Sequence, residues 1–231
     1  MELVAKDAFT VLKEKGVTHL HHANTVLTSC AFLRRHQLVS RGTKVSLGLD
    51  QTEQASDTID QAFGIFNDIF LDSVDIHSRA NKRNIYGPVL FVLDLNKLAQ
   101  LPLATFWVTK SNPIDWIDNT PIHERWFSSI QDLRDNFVVG RFNQMIVLRS
   151  CGGVLQLKDC LTRIELDDPA IEYKKGLGLF GISLGALIVS HKQSGIKGRI
   201  PITRHKCRDG CTCVAQYAED KVETTKMFFP Y

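Results

Sequence analysis

The chain has 231 residues, 44% hydrophobic and 23% charged, a balance that suits one well-buried domain and excludes intrinsic disorder. Its net charge of +3 and pI near 8.5 permit nucleic-acid binding without demanding it. Any phosphate-binding face must therefore come from local clustering.

Val4, Ala8, Val11 and Leu12 share one face of a short amphipathic helix over residues 4–15, ended by Gly16. Lys6, Asp7, Lys13 and Glu14 interrupt any signal-peptide core there, so the protein is expected to be soluble and cytoplasmic. Thr18 to Asn24 reads as a short strand or loop, followed by a helix from Thr25 to about Arg35 capped by Asn24 or Thr25. Leu38 to Gly42 reads as a turn into a strand. Residues 50–66, with Ile59, Phe63 and Phe66, suit a helix or an ordered active-site loop.

Ile69–Leu71, Pro88–Leu93, Thr105–Thr109 and Met145–Leu148 are short apolar runs of strand type, separated by loops at Asn112-Pro113 and Thr120-Pro121. Regular βαβ alternation is lacking. The expected class is α+β, a mixed or antiparallel sheet core with flanking helices. Composition changes near Asp167-Asp168-Pro169, which divides a main domain (1–168) from a basic, Cys-rich C-terminal extension (169–231) packed on the same domain. Gly176 to Gly181 satisfies G-x-G-x-x-G, but no βαβ unit surrounds it and no acidic residue follows at the usual distance. It reads as a glycine-rich strand pair or hairpin. The apolar run from Leu177 to Val189 falls short of the roughly 20 residues needed to cross a bilayer. No membrane partner is expected.

His19, His21, His22 and Asn24 form the densest polar cluster near the N-terminus. They are surface histidines or the wall of a dinucleotide pocket. Such a pocket needs donors for amide and ribose oxygens, which His22 and Asn24 supply, and a fixed cation for the pyrophosphate, which Arg41 supplies. A zinc reading lacks a Cys or carboxylate at ligand spacing nearby. Asp75, His77 and Arg79 alternate as on one face of a strand, either solvated or helping to hold a ligand. Trp107, Trp116, Trp126 and Phe127 alternate with Lys110, His123 and Arg125, a pattern that suits stacking on unpaired bases. Most of these aromatics belong in a core, leaving one or two for substrate.

At the other end, His205, Cys207, Cys211 and Cys213 lie within nine positions, a ligand set that zinc accepts. The alternative is incidental reduced thiols; disulfides fit poorly with a chain that lacks an export signal. Arg199, Arg204, Lys206 and Arg208 could meet phosphate with or without metal.

The order His-His-Ala-Asn-Thr (21–25), Phe-Leu (32–33) and Leu-Val-Ser-Arg-Gly (38–42) resembles the opening of the DarT family of nucleic-acid ADP-ribosyltransferases. The resemblance continues through Asn67–Arg79, Tyr86-Gly87-Pro88 and the strand after it, Phe106–Asn112, Trp126–Asp135 and Asn143–Leu148, covering roughly residues 18–168. It implies an ADP-ribosyltransferase fold, NAD as co-substrate and a base of single-stranded DNA or RNA as acceptor. It further implies a toxin restrained by an antitoxin or serving anti-phage defence. His22, Asn24, Arg41, His77 and Arg79 would hold NAD, and Trp107, Asn112, Arg125 and Trp126 the acceptor. Gln144, with Arg41, would occupy the catalytic position.

There the sequence departs from the family, which carries Glu. An amide keeps the hydrogen bond to a ribose hydroxyl but cannot take a proton, a loss on the order of 10² to 10⁴ in rate. Gln144 is an introduced change, the mark of a binding-only relative, or evidence that the true position lies elsewhere. A protein acceptor is the other alternative, favoured if Lys and Arg cluster without functional aromatics.

Overall fold

Ala5, Ala8, Phe9, Val11 and Leu12 form one buried stripe, so the strand β1 (Leu3–Val4) gives way at once to helix α1 (Ala5–Glu14). The computed structural model describes residues 2–49, 56–103, 105–149, 151–196, 198 and 200–231. β2 (His19–Asn24) leads to α2 (Val26–Arg35), capped by Thr25, whose hydroxyl accepts the Thr28 N–H at 3.4 Å. β3 (Gln37–Val39) then runs into Ser40. Its hydroxyl accepts the Thr43 N–H at 3.2 Å and caps α3 (Arg41–Ser46). The expected turn into a strand at 38–42 is thus a strand's end and a helix's start, because Ser40 offers a cap three residues before Thr43.

Next come α4 (Asp57–Ala62), β4 (Ile69–Leu71), α5 (Ile76–Ala80), β5 (Val89–Asp94), α6 (Leu95–Leu98) and β6 (Thr105–Val108). Residues 50–55 of the expected active-site segment lie outside the described residues. α7 (Ile122–Arg125), α8 (Ile130–Asn136), β7 (Ile146–Leu148), β8 (Val154–Gln156) and β9 (Leu161–Leu166) complete the first part of the chain. The rest is a hairpin of β10 (Glu172–Lys174) and β11 (Leu177–Gly178), the helix α9 (Leu179–Gln193), β12 (Ile202–Arg204), α10 (Cys213–Glu219) and α11 (Lys221–Phe228). The G-x-G-x-x-G stretch is therefore the second strand of a hairpin and the first turn of α9.

The fold is mixed α and β. Two four-stranded sheets, ordered β12-β9-β5-β2 and β1-β6-β7-β4, carry the core, and a two-stranded pair, β3-β8, lies apart from them. Among the described residues every pairing is antiparallel except β12 with β9. The sheets meet at one seam, where His21 and Asp72 exchange backbone hydrogen bonds of 2.9 and 2.8 Å. Phe32, Phe91, Phe106, Phe127, Phe137 and Phe228 are fully buried in a common core, each stabilising by about 1.5–3 kcal/mol. That core also takes in Leu179 and Leu187 of α9, and β12 extends a sheet of the first part. The composition change at 167–169 is no break in the packing. No helix among the described residues is long and apolar enough to cross a membrane.

Candidate functional site

A cavity of about 390 Å³ opens beside the seam between the sheets. Alternation along β2 decides what faces it. His22 and Asn24 share a parity and line the cavity, whereas His19 lines a second, polar hollow on the other side together with His21, which reaches both. The wall continues with Arg41 and Lys44 of α3, Asp68 and Asp72 flanking β4, and Arg79 of α5. Gly87 lets the chain pass close behind Asn24: at φ +136° any Cβ there would stand 2.2 Å from the Asn24 carbonyl carbon.

His22 is fixed in one tautomer. Its Nδ1 lies 2.9 Å from the Phe70 carbonyl oxygen, which can only accept, so Nδ1 carries the hydrogen. Nε2 then accepts from Asn24 Nδ2 at 3.1 Å. The ring touches the cavity but sits deep in the protein, and burial pushes its pKa down to about 4. It is a neutral donor–acceptor pair with Asn24, suited to an uncharged amide or sugar hydroxyl.

The opposite end is cationic. Arg41 is the first residue of α3 and forms a two-pronged pair with Asp57, Nε to Oδ1 at 2.8 Å and Nη2 against Oδ2. Lys44, one turn on, is buried at 2% exposure with Nζ 5.1 Å from the Phe32 ring centre. Burial, and then the Arg41 charge, pull its pKa down to about 7, against the opposing pull of Asp57. An anionic ligand beside this pair would restore the lysine's proton and compete with Asp57 for Arg41. Asp68 is also buried, which pushes its pKa up to about 6; its Oδ2 stands 3.0 Å from Arg149 Nε, in ion-pair range without hydrogen-bond alignment.

The mouth is apolar and exposed. Ile85, Tyr86, Ile114 and Phe142 line it, with Arg79 3.9 Å and Lys82 5.7 Å from the Phe142 ring centre. Exposed aromatics with cations alongside are the equipment for stacking unpaired bases.

Of the residues singled out from sequence, His22, Asn24, Arg41, Arg79 and Asn112 come together on this cavity. The side chain of Asn112 also caps a short 3₁₀ turn by accepting the Ile114 N–H at 3.3 Å. The others lie elsewhere. Gln144 is 3% exposed and does not line the cavity. Its Oε1 accepts the Val138 N–H at 2.7 Å and its Nε2 donates to the Asn136 carbonyl at 3.2 Å, closing the end of α8. Its neighbours Phe142 and Met145 face the cavity in its place.

Trp126 and Trp116 are buried in a small aromatic cluster with half-buried Trp107, and ring centres are 4.9 to 5.1 Å apart. Arg125 lies over Phe63 and Trp116, and Arg149 over Trp107 and Trp126. Trp107 and Trp126 thus pack on each other, and Arg125 on Trp116, rather than on the cavity. The expected strand face at 75, 77 and 79 is a correction of another kind. Asp75 caps α5 by accepting the His77 N–H at 3.3 Å, and helical geometry sends His77 and Arg79 apart. Arg79 faces the cavity and pairs with Asp72, while His77 turns away from it.

His77 joins the cysteines instead. His77 Nδ1, Cys207 Sγ, Cys211 Sγ and Cys213 Sγ all lie within 4.8 Å of one another, a candidate metal-binding cluster. His205, the histidine expected there, keeps Nδ1 3.5 Å from Cys207 Sγ but turns Nε2 to Asp75 Oδ2 at 2.8 Å, and it falls in a second set with Asp75 and His77. All six cysteines are free thiols. Of the basic residues near this segment, Arg204 pairs with Asp168, and Arg199 lies outside the described residues.

Several features of the site escaped the sequence, among them Asp68, Lys44, Phe142 and the part of His77 in the cysteine cluster. Lys44 would have been visible had Ser40 been read as a cap, since a helix starting at Arg41 puts residue 44 on the same face. His77 offered no local signal, being 130 residues from Cys207 in the chain. No protein-family model matches the chain, and no curated protein resembles it closely enough to count as a relative.

Proposed function

We propose that this chain binds NAD in the cavity and transfers ADP-ribose to a base of single-stranded DNA or RNA, as its resemblance to the DarT family implies. In that role it would be a toxin opposed by an antitoxin, or part of an anti-phage system. One observation carries the proposal. A neutral amide-and-imidazole pair, His22 with Asn24, and a cationic pair, Arg41 with Lys44, line a single cavity. That is the polarity sequence of a dinucleotide whose one end is an uncharged nicotinamide ribose and whose middle is a pyrophosphate. The exposed Tyr86 and Phe142, flanked by Arg79 and Lys82, support an unpaired base as acceptor.

In the reaction the bond from ribose C1′ to the nicotinamide nitrogen breaks and its electron pair leaves with nicotinamide. A nucleophilic atom of the base bonds to C1′ and gives up a proton. Gln144 cannot accept that proton. Among the described residues three carboxylates line the cavity: Asp72 pairs with Arg79 and Asp60 accepts from Ser56, whereas Asp68 Oδ2 accepts no hydrogen bond. Asp68, ionised above pH about 6, is the one assigned to take the proton. The Cys-rich extension has a structural part in the same proposal, with zinc as the metal its thiolates suit.

A second reading, a catalytically silent NAD-binding or nucleic-acid-binding module, is favoured by the burial of position 144, where the DarT family carries its catalytic Glu, away from the cavity. Incubation with NAD labelled in its ADP-ribose half, together with single-stranded DNA, RNA and protein acceptors, separates the two. Label on nucleic acid supports transfer to a base, and label on protein alone moves the acceptor. Tight NAD binding without transfer supports the silent module. Absence of NAD binding sinks the transferase and the NAD-binding module, and leaves only a nucleic-acid-binding module, which oligonucleotide affinity then tests.

A further inference from the structure

The segment 75–86 supplies one wall of the cavity, through Ile76, Arg79, Lys82, Arg83, Ile85 and Tyr86. Little of it is regular structure: α5 is five residues long, and Asn81 ends it in the left-handed region at φ 50°. So short a helix has no stability of its own. It is held from outside by the C-terminal extension. His205 Nε2 donates to Asp75 Oδ2 at 2.8 Å, the Thr212 N–H donates to the Asn81 carbonyl at 2.8 Å, and the Arg83 N–H donates to Gln216 Oε1 at 3.1 Å.

At the centre of this embrace sits the cluster of His77 with Cys207, Cys211 and Cys213. His77 Nδ1 is 3.5 Å from Cys211 Sγ and 3.6 Å from Cys207 Sγ, and the Cys207 and Cys213 sulfurs are 3.3 Å apart. A tetrahedral zinc ion with ordinary Zn–S and Zn–N bonds separates S from N by about 3.6 Å and S from S by about 3.8 Å. The spacings of His77 to Cys207 and Cys211 already match, and the Cys207 and Cys213 sulfurs need to part by about half an ångström. On the far side of the ring, Nε2 lies 3.1 Å from Asp167 Oδ2, which also accepts the Tyr217 hydroxyl at 2.5 Å. That is the carboxylate partner a metal-bound imidazole uses to fix its tautomer. The overlapping set of Asp75, His77 and His205 needs the same ring and offers no thiolate. The four-ligand set is the one that suits a thiophilic ion.

We infer that a zinc ion bound by His77, Cys207, Cys211 and Cys213 bolts the C-terminal extension to α5 and thereby positions Arg79 and the rest of that wall in the cavity. The inference rests on the zinc reading of the extension and adds that the ion shapes a ligand site it does not enter. Binding requires the three thiols and His77 Nδ1 to give up their protons to solvent, while the imidazole, now neutral, keeps its Nε2 hydrogen toward Asp167. The centre then carries a net charge of −1, with no redox step.

Metal analysis of the purified chain tests the zinc reading. One zinc per chain is expected, and cobalt exchanged into the site should show thiolate-to-cobalt charge transfer and tetrahedral d–d absorption. Metal far below one equivalent, or cobalt without thiolate bands, overturns it. Hydrogen exchange on the intact chain, zinc-loaded against chelator-stripped, tests the positioning. Stripping should speed amide exchange at least tenfold across residues 72–86 as well as 205–216, leave β2 and β5 protected, and reverse when zinc is restored. Loss confined to 205–216 overturns the positioning while leaving the zinc site intact. A loss that spreads through β2 and β5 overturns it too, because the ion would then hold up the whole fold and not one wall.

Discussion

Asn24 Nδ2 stands 3.1 Å from Nε2 of His22, and the opposite ring nitrogen points at the Phe70 carbonyl from 2.9 Å. A carbonyl accepts and an amide NH₂ donates, so both contacts demand the same neutral tautomer, and a proton on Nε2 would face a donor. Replacing Asn24 by Asp reverses this demand: a carboxylate beside Nε2 favours imidazolium and lifts the His22 pKa from about 4. Asn24→Asp should therefore weaken NAD binding at least tenfold at pH 7, about 1.4 kcal/mol, by charging the end proposed for nicotinamide. Calorimetric titration reads the affinity and NMR titration of the His22 ring reads the pKa. An unchanged affinity with a raised pKa would move the nicotinamide end away from this pair.

The same histidine makes the fold sensitive to acid. Its folded pKa of about 4 lies below the unfolded value near 6.5, so the unfolded chain binds more protons between these limits. Stability should rise from pH 4 to 6.5 on this account and be lost as pH falls through that window. Burial lowers the His21 pKa to about 4 as well. His22→Gln should therefore reduce that part of the slope of melting temperature against pH by about half and leave the share of His21; an unchanged slope shows that the titrating group lies elsewhere.

Lys44 gives a pH dependence on the alkaline side. Its charge faces Arg41 and Asp57 from α3 and α4, and His22 from β2. With a folded pKa of about 7 against about 10.5 unfolded, the unfolded chain holds the extra proton between these values, and stability rises with pH across them. A bound pyrophosphate reverses the preference by restoring the ammonium. NAD affinity should thus fall as pH climbs above 7, by up to tenfold per unit, while Lys44→Met binds more weakly at pH 7 and shows no such slope. The variant should also melt higher at pH 7, since no buried charge remains. A slope that persists in Lys44→Met assigns the proton to another group.

Much of the scaffold was legible because its signals are local. The Gly16 stop, the Thr25 cap and the β-branched or aromatic runs at 69–71, 89–94 and 146–148 each act within a few residues. The position of His22 and Asn24 on one face follows from the two-residue period of a strand. What was misread is also physical. Asp75-x-His77-x-Arg79 has a strand's spacing, but the Asp75 side chain caps its own helix, and a cap outweighs alternation over five residues. Nothing near His77 says that its partners are 130 residues on. Two of the cations that alternate with the tryptophans and Phe127 in sequence, Lys110 and Arg125, lie over Phe127 and Trp116, a packing pattern that looks the same as a binding pattern until the surface is known.

This distinction between packing and binding aromatics can be measured. Trp126 is 3% exposed between Trp107 and Trp116, so Trp126→Ala should cost about 3–5 kcal/mol of stability. Phe142 is 44% exposed at the cavity mouth, and Phe142→Ala should leave the melting temperature nearly unchanged. If an unpaired base stacks there, the same variant should lose about 1–3 kcal/mol of affinity for single-stranded oligonucleotides in a fluorescence anisotropy titration. Equal oligonucleotide affinity for Phe142→Ala and wild type would take the acceptor off this rim.

Gln144 provides the sharpest test of the reaction proposed for the cavity. Its amide uses both ends, Oε1 accepting from Val138 N–H and Nε2 donating to the Asn136 carbonyl 3.2 Å away. A glutamate keeps the first bond, but its second oxygen would then confront a carbonyl oxygen with no hydrogen between them. Gln144→Glu should lose about 1–3 kcal/mol at pH 7, the cost of a buried acceptor left unsatisfied. The loss should shrink toward acid pH, because a protonated carboxyl supplies the missing donor and its folded pKa is thereby raised. The variant should not gain ADP-ribosyl transfer, since a carboxylate at this position does not line the cavity. Asp68→Asn is the change expected to abolish transfer while leaving NAD affinity within a few-fold. Should Gln144→Glu instead switch transfer on, position 144 reaches the ribose in the working enzyme, and Asp68 loses its role as the proton acceptor.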